Sequence, residues 1–164
     1  MKKLLVIFAI FILPFSSFAG MKINPKVSYN LYDYDSGSKV DASGVGFGLG
    51  VGYSFIGLYT MLEYETATLS IDSTGADDET VNNLNFIVGY EFPILLNVWG
   101  GYIFDSDFGN LEGNGTKFGI GYSAAPMVQL YLEIVNIEYD KLSGATLSTK
   151  RKLSGHQIGV QIPF

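Results

Sequence analysis

Hydrophobic and polar residues alternate along most of the chain after its first twenty residues. The pattern is purest in GVGFGLGVGY, residues 44–53, where Gly44, Gly46, Gly48, Gly50 and Gly52 take one face and Val45, Phe47, Leu49, Val51 and Tyr53 the other. A period of two over such a length predicts a strand with two unlike faces. Eight segments carry it: 26–34, 44–53, 58–67, 82–92, 95–104, 116–124, 128–139 and 152–164. No segment shows an apolar stripe at helical spacing. The connections alternate in length. Short ones fall at SFIG (54–57), Pro93 and APM (125–127). Long polar ones fall at residues 35–41, 70–80, 105–115 and 140–149. One end of the sheet is therefore expected to carry tight turns and the other four polar loops.

The contents of the two faces decide the surroundings. A water-soluble barrel keeps apolar residues inside, and a membrane barrel turns them toward lipid. Five glycines opposite five large apolar groups suit only the second case, with glycine facing a lumen too narrow for eight rows of large side chains. The sixth segment repeats the design, with Phe118, Ile120 and Tyr122 outward and Lys117, Gly119, Gly121 and Ser123 inward. The remaining outward rows are Val27, Tyr29, Leu31; Leu58, Leu62, Tyr64; Leu84, Phe86, Val88, Tyr90; Leu96, Val98, Tyr102; and Leu130, Leu132, Ile134. In the fifth segment, Trp99 and Ile103 lie on the opposite parity to its outward row. Tyr53, Tyr90, Phe92 and Tyr122 fall near the short turns, where an aromatic girdle is expected.

Composition sharpens this picture. Charged residues make up 16% of the 164 residues and aromatics 15%, less charge than the roughly one quarter usual in soluble domains. The opening MKKLLVIFAIFILPFSSFAG has a basic start, an apolar stretch too short to span a bilayer, and a small-residue cleavage site at Ser17-Phe18-Ala19. Residues 1–19 are thus expected to be a signal peptide and residues 20–164 a single barrel domain. Without the two leader lysines, 8 basic face 16 acidic residues, a balance of −8 that argues against nucleic acid. There are no cysteines, hence no disulfide or thiolate chemistry.

The chain ends in HQIGVQIPF, with Ile158, Val160, Ile162 and Phe164 on one face. A leader, eight alternating strands and a terminal phenylalanine resemble the small outer-membrane β-barrels of the OmpA/OmpX/opacity type. That resemblance implies an antiparallel up-and-down transmembrane barrel in the outer membrane of a Gram-negative-type cell. It also implies that Phe164, Ile162 and Val160 form the signal read by the barrel-assembly machinery. Outer-membrane lipid and lipopolysaccharide are the implied surroundings, and an extracellular ligand or host surface the implied partner. No peptidoglycan-binding domain is expected after the barrel.

The inward rows hold Lys26, Lys117 and Arg151 against Glu63, Glu65, Glu91 and Glu133. Lys26 and Glu91 are expected near the tight-turn end, and the other five at mid-height or above. Buried charges must be paired, so these form a polar plug or, as the resemblance suggests, a gate for a narrow channel. The loops offer Asp72, Asp77, Asp78 and Glu79 as candidate binding residues for an adhesin- or resistance-type role, the leading expectation. A lipid A-modifying enzyme is the third reading, with His156, the only histidine, and Ser154 on the outer face. No orienting acid is evident on neighbouring rows, so no catalytic set is expected. The acidic segments lack calcium-loop spacing and the glycine run lacks the dinucleotide fingerprint, so neither metal nor cofactor is expected.

Overall fold

A computed structural model describes residues 20–72, 78–125 and 127–164. Eight antiparallel strands follow one another around a closed barrel. They are β1 (Gly20–Asp35), β2 (Lys39–Phe55), β3 (Leu58–Ile71), β4 (Glu79–Glu91), β5 (Leu96–Phe108), β6 (Leu111–Ala125), β7 (Val128–Leu142) and β8 (Ala145–Gln161). Following the register from Lys26 through each neighbouring strand arrives at Arg151 on β8. Across the closing seam Lys26 faces Gln161 instead, a stagger of ten residues. Such a stagger tilts the strands, by roughly 35–45° in closed barrels. The last residues extend the seam: Phe164 and Ile23 exchange backbone hydrogen bonds of 2.9 and 3.1 Å.

The strands are longer than the alternation predicts. Of the four expected polar loops, only the connection between β3 and β4, residues 72–78, is longer than three residues. The others are the turns 36–38, 109–110 and 143–144, and most of segments 35–41, 105–115 and 140–149 is strand. At the opposite end, the near end, where Gly20 and Phe164 lie, Ile56 and Gly57 have φ of 48° and 80°. Ser143 and Gly144 at the far end have 50° and 79°. Two successive left-handed residues make the mirror-image turn that suits a two-residue hairpin, and glycine adopts the second without strain.

The extra strand length has a physical cause. On β1 the outward row runs Met21, Ile23, Val27, Tyr29, Leu31, all exposed, and then turns to Asp33. On β3 it passes from Leu62 and Tyr64 to Thr66, Thr68 and Ser70, and on β7 from Leu132 and Ile134 to Asn136 and Glu138. The inward rows change in the opposite sense at the same level. Glu63 and Glu65 give way to Ala67 and Leu69, and Glu133 to Val135, Ile137 and Tyr139. In β5 a register shift between Ile103 and Ser106 makes the exchange, leaving Phe104 and Asp105 both outward. The barrel is thus apolar outside and polar inside toward the near end, and polar outside and apolar inside at the far end.

The exposed apolar belt on β1 spans ten residue steps, which at strand rise and barrel tilt is about 25 Å, the height of a membrane-facing band. Beyond it the barrel continues as a water-exposed extension with its own core of Tyr32, Leu69, Val81, Ile103, Phe108, Leu111, Val135, Ile137, Tyr139 and Leu153.

Candidate functional site

Lys26 on β1 and Lys117 on β6 meet three carboxylates in the middle of the lumen. Lys117 Nζ lies 2.6 Å from Glu63, 2.8 Å from Glu65 and 3.4 Å from Glu133. Lys26 Nζ lies 3.1 Å from Glu63 and 3.0 Å from Glu133, and it also pairs with Glu65. All five side chains are buried. Glycine makes the space: a Cβ on Gly48 would stand 2.9 Å from Lys26 Cε. Trp99 donates its indole N–H to Glu133 at 2.6 Å, and Asn85 donates to Glu65 at 2.8 Å. The indole packs against Gly119, where a side chain would occupy the ring's place. This settles the parity of the fifth segment, with Trp99 and Ile103 inside.

Two expected positions change. Lys26 belongs to the central cluster rather than to the near end, because its side chain reaches toward mid-lumen across bare glycine. Arg151 is not in the cluster at all. It sits half-buried beyond the apolar far-end core and donates to Tyr34 Oη at 3.1 Å. Its place opposite Tyr139 in the register puts that core between the guanidinium and Glu133. Glu91 does lie at the near end, paired with Lys22, whose ammonium stands 4.2 Å from the Tyr59 ring centre. Sequence reasoning passed over Lys22 and gave Trp99 no part in the cluster. Lys22 shares the parity of Lys26, which is the signal that was there to use.

Between Lys22 and the cluster, amides close the lumen: Asn24 donates to Gln161 at 2.9 Å, Asn97 to Gln129 at 3.1 Å, and Tyr59 to Asn97 at 3.1 Å. The lumen is filled in three layers: amides below, charges in the middle, and apolar side chains toward the far end.

At the far rim, Asp78 accepts from Ser70 Oγ at 2.7 Å and the Asp72 N–H donates to the Asp41 carbonyl at 2.8 Å. Glu79 stands over the Gly109 turn. Asp77 lies outside the described residues, as does the expected leader. On the outer wall Ser154 stands opposite Asp33 in the register, with His156 opposite Leu31. An acid thus adjoins Ser154, but no hydrogen bond joins Ser154, His156 and Asp33 among the described residues. Val160, Ile162 and Phe164 are exposed in the apolar belt. Among the described residues no group of His, Asp or Glu has the geometry of a metal site.

The far wall of β5 and β6 is acidic, with Asp107 directly opposite Glu112. Partial burial, and then Asp105 and Glu112, hold the Asp107 carboxyl above its ordinary value. A raised acid favours the folded state only when protonated. The repulsion is therefore relieved as pH falls through the folded value toward the ordinary aspartate range. Glu112→Gln is expected to move the Asp107 titration down, as read from its side-chain carboxyl carbon by NMR.

No protein-family model matches the sequence, and no curated protein matches it by sequence. Solved structures do. Over 89% of this chain and 99% of the other, the fold superimposes on Neisserial surface protein A with a TM-score of 0.60 at 16% identity. Over 87% and 98%, it superimposes on Ail, the attachment invasion locus protein of Yersinia pestis, with a TM-score of 0.58 at 12% identity. With a closed eight-stranded barrel, an exposed apolar belt and a polar lumen, the chain has the fold of the small outer-membrane β-barrels of the OmpA/OmpX type.

Proposed function

We propose that the protein is a surface-interaction barrel of an outer membrane, with its termini in the periplasm and its far-end extension presented outside the cell. The observation that carries this is the filled lumen. A narrow conduit would have to cross the amide layer, the charge cluster and then the far-end core. Opening the Lys117–Glu63 pair leaves Leu69, Val135 and Ile137 still in the way. The charge cluster supports the lumen, and the outward face of the extension, with Asp72, Asp78 and Glu79 at its rim, is the surface left to meet a partner. The name of Ail, the attachment invasion locus protein, associates a barrel of this shape with attachment and invasion, which fits an adhesin- or resistance-type role.

Single-channel recording of the refolded, heat-modifiable barrel in a planar bilayer tests this reading. The expected result is a folded and electrically silent protein. Discrete, reproducible openings would overturn it in favour of the gated channel. Display on a host strain lacking the barrel should change adhesion or serum survival, with that change lost when residues 72–79 are replaced by a short glycine-serine turn.

A further inference from the structure

All three near-end turns hold a large apolar residue where the backbone is left-handed: Ile56 at φ 48°, Leu95 at 64° and Met127 at 66°. That conformation crowds any Cβ, and the far-end turns meet it with Gly37, Gly109 and Gly144 beside Ser143. Burial does not compensate the near-end residues. Ile56 is 75% exposed, Ile94 71%, Met127 56% and Leu95 55%. No charged residue occurs in segments 53–58, 92–98 or 122–130, whereas each far-end turn has one within two positions of it. Lys22 and Glu91, the charges at the near end, pair with each other.

We infer that the near-end rim is inserted in the phospholipid leaflet on its side of the membrane, with Ile56, Ile94, Leu95 and Met127 among acyl chains instead of in water. The inference rests on the outer-membrane placement above. The rim continues the lipid-facing belt without a break. Tyr53, Tyr90 and Tyr122 are exposed just before the three turns, and Leu58, Leu96 and Val128 start the strands that follow them. Met21, the first residue of the belt on β1, is level with Tyr53. Ile56 lies three residues past Tyr53, about 7 Å at strand rise and barrel tilt. A belt of about 25 Å lengthened by that much matches the roughly 30 Å core of a bilayer. Unpaired backbone is costly in lipid, and the ladders run on into the turns. The Gly57 carbonyl accepts from the Glu91 N–H and the Leu95 carbonyl from the Ser123 N–H, both at 2.8 Å, and the Leu96 carbonyl accepts from Phe92 at 2.7 Å. Taking four apolar side chains out of water also offsets the cost of their left-handed backbone.

The chain has no cysteine, so single replacements carry a fluorescent thiol label without background. Ile94→Cys and Met127→Cys report on the rim, Leu62→Cys on the belt and Ser36→Cys on a far-end turn. The full chain is placed in phosphatidylethanolamine–phosphatidylglycerol nanodiscs, whose two faces both meet solvent. A lipid with a doxyl group on its acyl chain quenches from the membrane, and iodide quenches from water. The expected result is doxyl quenching of both rim labels close to that of the belt label, with iodide quenching several-fold below that of the far-end label. A belt label that escapes the doxyl lipid means that the membrane placement has failed, and the inference with it. Rim labels quenched by iodide like the far-end label put the rim in water and overturn the inference alone. Rim labels shielded from both quenchers put a second copy against the rim and also overturn it. Ile56→Asn, Leu95→Asn and Met127→Asn combined separate lipid from strain. Asparagine tolerates left-handed backbone, so a rim in water would gain stability. The expected result is a lower urea midpoint in vesicles for a variant whose heat-modifiable mobility shows it folded, and an unchanged or higher midpoint overturns the inference.

Discussion

Leu62→Arg is expected to destabilise the folded barrel by about 2–4 kcal/mol, whereas Thr68→Arg is expected to stay within about 0.5 kcal/mol of the parent. Both residues are exposed, both lie on β3, and both point outward, six residues apart. Solvent accessibility alone therefore treats them alike. The difference is the medium. Leu62 stands among Tyr64, Val51 and Phe86 in the apolar belt, facing a solvent that cannot hydrate a guanidinium. Thr68 stands beyond the exchange of polarity, level with Thr80, where water reaches it. Unfolding by urea from phospholipid vesicles measures both. Equal costs at the two positions would mean that the belt ends elsewhere, and that the far-end extension is not water-exposed.

The second large effect concerns the lumen. Lys117→Met leaves three buried carboxylates with the single ammonium of Lys26, and a loss of about 3–5 kcal/mol is expected, the usual result of stranding a buried charge. The cost belongs to the uncompensated carboxylates rather than to the lost attraction, because burying ions already offsets most of what their pairing returns. Lys117→Met combined with Glu63→Gln should therefore recover much of the loss, since the amide can still bond Asn85. Trp99, the only tryptophan, donates to Glu133 within the same cluster. Its emission reports separately whether the cluster has rearranged in the folded single variant. If the double variant is no more stable than the single one, charge imbalance is not what holds the cluster together.

Much of this was legible in the chain. Val45 to Tyr53 opposite five glycines is an instruction about local geometry. Side chains two apart share a face in any strand, so the belt and the lumen could be told apart without a partner strand in view. The same parity placed Glu63, Glu65, Lys117 and Glu133 inside. Parity misleads beyond Leu31, Tyr64 and Ile134, because segments such as 105–115 and 140–149 carry polar residues that read as loops. Segment 105–115 alternates too, with Asp105 and Asp107 outward and Phe108 and Leu111 inward, whereas in 140–149 only Leu147 packs on the far-end core. A window that expects apolar residues on the lipid side passes over them.

Parity along one strand reports only which side of the wall a residue faces. Height in the barrel depends on the ten-residue stagger between strands, which is a sum over seven pairings and is written in no single segment. That stagger lifts the reach of Lys26 to Glu133 and sets the far-end core between Glu133 and Arg151. By itself, then, the sequence determined the strands, their two faces and the membrane-facing belt, because these follow from a two-residue period and the transfer of side chains between water and hydrocarbon. Only the tertiary structure decided which charges meet and where the lumen is sealed, because those depend on closure, which brings together residues that no local pattern relates.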